Sequence, residues 1–152
     1  METSTLDRPA KTLDELKKNI PWTESPFFES DLQKAALSPE MEQLVRDYAE
    51  NGYVVFDPGV PLATIDAARA ALEPKFAAQT ETRLQDAWKF EPHVKEIATA
   101  PHVLEVLQTL YRRGPIPFQT LNFNVGTQQK THSDMIHFSS VPQRFMCGVW
   151  VA

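Results

Sequence analysis

Cysteine is almost absent: Cys147 is the only one in 152 residues. No intrachain disulfide can form, and a multi-cysteine zinc site is excluded. Glycine is scarce as well, five residues against twelve prolines, so proline does most of the punctuation. An excess of positive charge is also lacking. Fifteen Lys and Arg oppose twenty Asp and Glu, giving a net charge of −5. An acidic chain without a basic stripe argues against nucleic acid as a primary partner. No apolar run approaches the roughly 20 residues that a bilayer crossing needs, which argues against a membrane protein. The opening Met1-Glu2-Thr3-Ser4-Thr5 has neither the basic start nor the apolar stretch of a secretion signal. The expected location is cytoplasmic. No G-x-S-x-G elbow, Walker loop or dinucleotide fingerprint occurs, so those chemistries have no anchor here.

What is present suits one soluble domain. Apolar residues are 42% and charged residues 23%, and 152 residues can bury most of their unfolded surface. Residues 1–37 read as a loose N-terminal extension with one short helix. Thr12-Leu13-Asp14-Glu15 forms a capping box, Leu13, Leu16 and Ile20 follow at helical spacing, and Pro21 stops the helix. Trp22, Phe27 and Phe28 make this extension aromatic enough to be pinned to the body as packing surface.

The clearest helix starts after Ser38, an N-cap with Pro39 at the first helical position. Met41, Leu44, Val45 and Tyr48 line one face, and Gly52 ends it. Tyr53-Val54-Val55-Phe56 reads as a strand closed by the turn Asp57-Pro58-Gly59. A helix is expected over about Pro61–Glu73 with a kink at Pro74, and Pro92 and Pro101 each open another. Val103, Val106, Leu107 and Leu110 form the face of the last, which ends at Arg112-Arg113-Gly114. After Pro117 the period becomes two. Gln119, Leu121, Phe123 and Val125 share one face, Phe118, Thr120, Asn122 and Asn124 the other, and Gly126 ends the strand. Residues 145–151 read as a buried strand, with Cys147 a small core residue rather than a nucleophile. The sequence then stops at Ala152 without a turn residue or polar cap, as an interrupted strand would.

His132-Ser133-Asp134 is the sharpest chemical feature. On an extended chain residues two apart project to the same side. An imidazole and a carboxylate so placed can share one metal ion, as in the two-His-one-carboxylate triad of non-haem iron oxygenases. Four His and eight Asp in 152 residues give about 0.2 such triplets by chance, so the triplet alone is weak, and two exposed polar residues in a loop are the bland alternative. His137, five residues from His132, falls on the opposite side of a continuous strand unless the chain turns. Arg112 and Arg113 are candidates for anion binding, although the last turn of a helix accounts for them. His93 and His102 read as partly exposed helix residues.

A longer string carries more. Pro117-Phe118-Gln119-Thr120-Leu121-Asn122-Phe123, Val125-Gly126-Thr127-Gln128-Gln129, His132-Ser133-Asp134, His137-Phe138-Ser139-Ser140 and Arg144-Phe145-Met146-Cys147-Gly148-Val149-Trp150-Val151-Ala152 closely resemble bacterial members of the phytanoyl-CoA dioxygenase family. The resemblance is specific over about residues 115–152 and looser back to about residue 38. It implies an α+β fold: an N-terminal helical layer, about residues 38–114, packed on a double-stranded β-helix, a cupin-like jelly roll whose first strands occupy about 117–152. It also implies Fe(II) as the metal, 2-oxoglutarate as co-substrate and O2 as oxidant, with hydroxylation of a small organic substrate. His132 and Asp134 match the first two iron ligands.

The family's second histidine ligand and the basic residue that anchors 2-oxoglutarate fall beyond residue 152. The barrel is therefore expected to be incomplete in this chain, which reads as the N-terminal part of a longer oxygenase and is expected to be inactive alone. Open sheet edges offer a route to self-association. The alternatives are a non-catalytic jelly-roll module for binding or oligomerisation, and a cupin-like metal protein using His132, Asp134 and His137.

Overall fold

Proline and capping signals divide the chain into short helices. The computed structural model describes residues 12–126, 130, 132, 134 and 138–152. In order these form α1 (Leu13–Lys18), a 3-10 turn (Trp22–Glu24), α2 (Phe28–Ala35), α3 (Pro39–Asn51), α4 (Leu62–Ala77) and β1 (Arg83–Gln85). A second 3-10 turn (Ala87–Lys89), α5 (Pro92–Ala98), α6 (Pro101–Tyr111) and β2 (Leu121–Phe123) follow.

The local signals work as their chemistry requires. Thr12 N–H donates to Glu15 Oε2 at 2.8 Å and Glu15 N–H to Thr12 Oγ1 at 3.3 Å, a reciprocal capping box. Ser38 Oγ accepts from Met41 N–H at 3.2 Å, and Gly52 closes α3 at φ 77°. That φ suits a residue without Cβ. Pro92 and Pro101 sit in the first turns of α5 and α6, where a missing N–H costs nothing.

Two apolar clusters hold these elements. In the first, Trp22, Leu32, Val45, Val106 and Leu110 are buried, with Phe28, Leu44, Tyr48 and Phe56 packed against them. Val45 and Val106 are fully buried, each contributing roughly 1.5–3 kcal/mol relative to exposure. Trp22 is pinned here as expected: its Nε1–H donates to the Thr109 carbonyl at 3.0 Å. In the second cluster Ala68, Leu72, Ala87 and Val94 join α4 to α5, with Leu84 and Trp88 alongside.

Several expectations need correction. The N-terminal region is less loose than its composition suggests, because α2 lies within it and buries Leu32. Helix α4 continues through Pro74 to Ala77, one turn beyond Glu73. Residues 53–56 form no ladder, although their parity is that of a strand. Phe56 packs inward while Tyr53 and Val55 are exposed. The run after Pro117 is laddered over Leu121–Phe123, paired antiparallel with β1, with Leu84 opposite Asn122. Residues 145–152 join no ladder among the described residues, and Trp150 is 74% exposed. The expected buried strand fails for want of a neighbour: an apolar run needs partner strands on its edges and a layer on each face. Cys147, expected in a core, is an exposed residue of that run, although its thiol is sheltered beside Tyr111. The class is α+β, and among the described residues its sheet is one two-stranded ladder.

Candidate metal centre

The site grows out of β2. The helices bring that strand to β1, where Asp86 N–H donates to the Thr120 carbonyl at 2.7 Å and Thr120 N–H to Asp86 Oδ1 at 3.3 Å. Trp150 lies parallel to Phe123, ring centroids 6.3 Å apart and planes 6° from parallel. This stack lays the 145–152 run beside β2 without backbone pairing. A Cβ on Gly148 would lie 3.8 Å from Asp134 Oδ2, so the run passes close to the acid.

His132 and Asp134 come together. His132 Nε2 lies 3.4 Å from Asp134 Oδ1, and both side chains are partly open to solvent. His132 Nδ1 lies 2.7 Å from the Lys130 carbonyl oxygen. A carbonyl only accepts, so Nδ1 carries a proton, and a neutral imidazole then presents its lone pair at Nε2. That lone pair meets a carboxylate oxygen. Two acceptors facing each other need positive charge between them, either a proton on Nε2 or a cation. The 3.4 Å gap is longer than the 2.7–3.2 Å of ordinary N–H···O bonds. It is near the roughly 3 Å separating two cis donors that each lie about 2.1 Å from one octahedral ion. The carbonyl behind Nδ1 is the outer partner that metal-binding histidines commonly use. The pair can share either a proton or a cation, and two donors alone do not choose between them.

His137 lies outside the described residues, as does Ser133 between the two candidate ligands. The parity argument applied to His137 presumed a continuous strand. Phe138 N–H donates to the Asp134 carbonyl at 2.9 Å. Among the described residues, no group of three or more His, Cys, Asp or Glu could hold a metal ion.

The remaining candidates fall elsewhere. His93 Nδ1 lies 2.7 Å from Glu91 Oε1, and His102 Nδ1 3.4 Å from Glu105 Oε2. Both pairs sit in the first turns of α5 and α6. The hydrogen bond from His93 holds the Glu91 carboxyl below its usual range. Sequence reasoning missed the bond between the Tyr48 and Tyr111 hydroxyls, 2.7 Å apart. Burial pushes both phenols up. Burial likewise pushes the Cys147 thiol up, while its hydrogen bond to Tyr111 opposes the shift. Tyr48 was legible as a core position, but its hydroxyl partner, 63 residues away, has no local signal. No helix among the described residues is long and apolar enough to cross a membrane. Comparison of the chain with protein-family models, curated proteins and solved structures gave no match.

Proposed function

We propose that His132 and Asp134 are two protein ligands of Fe(II) in a 2-oxoglutarate-dependent oxygenase that hydroxylates a small organic substrate. The supporting observation is the paired geometry: an imidazole with its proton on the far nitrogen faces a carboxylate at metal-sharing distance. The resemblance over residues 115–152 supplies the choice of metal and co-substrate. In this reading β2 and the 145–152 run are edges of a jelly-roll barrel. Iron, when held, would bind O2 and 2-oxoglutarate and supply the oxidising power. Lys130 fixes the histidine tautomer through its carbonyl, and Gly148 leaves room beside the carboxylate.

The two donors found among the described residues are fewer than a stable iron site needs. The 152-residue chain is expected to bind Fe(II) weakly and to form no succinate from 2-oxoglutarate. Calorimetric titration with Mn(II) as a redox-silent substitute tests the site. Binding should weaken at least tenfold in His132→Ala and in Asp134→Ala; unchanged binding in both would remove the proposal. Iron-dependent succinate formation by the chain alone would refute the expectation of inactivity.

A second reading has its own observation. Val149, Trp150 and Val151 are exposed on a run without a ladder, which suits a non-catalytic module that self-associates along its edges. A dimer that forms equally in native chain and Asp134→Ala, with no Mn(II) binding by either, would favour it.

A further inference from the structure

The last turn of α6 ends beside a surface hollow of about 340 Å³ whose lining does not include His132 or Asp134. Trp22, Ala35 and Leu37 give it apolar walls, and Arg112 and Arg113 give it charge. Its size is at the lower end of small-ligand sites.

Both guanidiniums are held in place while retaining donors. The Arg112 Cζ lies 3.6 Å from the Trp22 ring centroid, and its Nη2 donates to the Asp31 carbonyl at 2.9 Å. The Arg113 Cζ lies 3.8 Å from the Phe145 centroid, and its Nη2 donates to the Lys18 carbonyl at 2.6 Å. Each side chain thus stacks on one ring and gives one bond to a neutral acceptor. An arginine carries five N–H donors, so each keeps several for a ligand. Among the described residues neither forms an ion pair with a carboxylate. Asp31, whose charge reaches Arg112, also faces Lys17 Nζ at 3.5 Å. The carbonyls ending α6 contribute about half a negative charge, which two whole positive charges outweigh.

The walls are preorganised. Trp22 is 6% exposed, and its indole N–H is fixed on the Thr109 carbonyl. In an acidic chain, two adjacent guanidiniums that form no ion pair among the described residues make a local cationic spot with an apolar floor. Planar guanidinium forks match the two oxygens of a carboxylate. We propose that this hollow binds a small organic carboxylate, its acid group on Arg112 and Arg113 and its apolar body against Ala35 and Leu37.

The test uses the native chain and benzoate, with benzamide as a neutral analogue of the same shape and inorganic phosphate as the alternative anion. The indole N–H resonance of Trp22, assigned with Trp88→Phe and Trp150→Phe variants, reports occupancy. Benzoate should shift that resonance saturably and bind at least tenfold more tightly than benzamide. Arg113→Gln, which leaves Trp22 and its hydrogen bond in place, should weaken benzoate at least tenfold, and Arg113→Lys should recover part of the loss. Equal binding of benzoate and benzamide, or no saturable shift, overturns the proposal. Tighter binding of phosphate than of benzoate overturns the carboxylate assignment. The comparison of ligands on native protein holds even where a variant fails to fold.

Discussion

Tyr48 and Tyr111 show how one pair of side chains ties helices together at a chemical cost. Their hydroxyls share a 2.7 Å hydrogen bond across α3 and α6, in half-buried surroundings. Tyr48→Phe leaves the Tyr111 hydroxyl without that partner and should destabilise the fold by about 1–2 kcal/mol in urea denaturation. The pH dependence has a definite sign. Burial raises both phenols above the ordinary value of 10.0. The unfolded chain therefore releases protons first. Stability from this pair is complete below about pH 10 and falls as pH rises beyond it. Urea midpoints between pH 9 and 11 should decline in the native chain and decline less in Tyr48→Phe. At this scale the sequence brought His132 and Asp134 to attention as near neighbours, and their side chains do lie 3.4 Å apart. It was silent on the Lys130 carbonyl that fixes the tautomer, since no side-chain pattern records where a backbone oxygen points.

Elements with strong end signals were legible almost to the residue. Ser38, Pro39 and Gly52 bracket α3, and their chemistry acts within one turn. Ser38→Ala should cost roughly 0.5–2 kcal/mol through loss of the bond to Met41 N–H. Gly52→Ala, at φ 77°, should cost about 1 kcal/mol. Both are read from denaturation midpoints. Leu110→Ala, in the centre of the first cluster, should cost roughly 2–5 kcal/mol. Helix α2 escaped notice because it has no capping side chain: Phe27 stands at its start and Ala36 ends it at a left-handed φ of 48°. Residues 145–152 failed for the opposite reason. Their composition is that of a buried strand, but burial depends on neighbours, and pairing is not encoded in one run. The partner of β2 likewise lay out of reach, since Arg83-Leu84-Gln85 carries little strand character.

For the whole molecule the division into helices first and extended runs last was visible from the change of period after Pro117. The proposal of an oxygenase rests on a string of residues rather than on periodicity. The exposed apolar run has a solution consequence. Val149→Lys with Val151→Lys should reduce light scattering at high protein concentration, because charge on an open edge discourages edge-to-edge pairing. No change in scattering would mean that the run does not drive association.

Trp22 has a consequence for synthesis. Its indole N–H is anchored to Thr109, 87 residues further along. A ribosome delivers the tryptophan early and its acceptor late. Until α6 emerges, the opening aromatic segment has only α2 and α3 to rest on, and it is then that a protease or chaperone would find it.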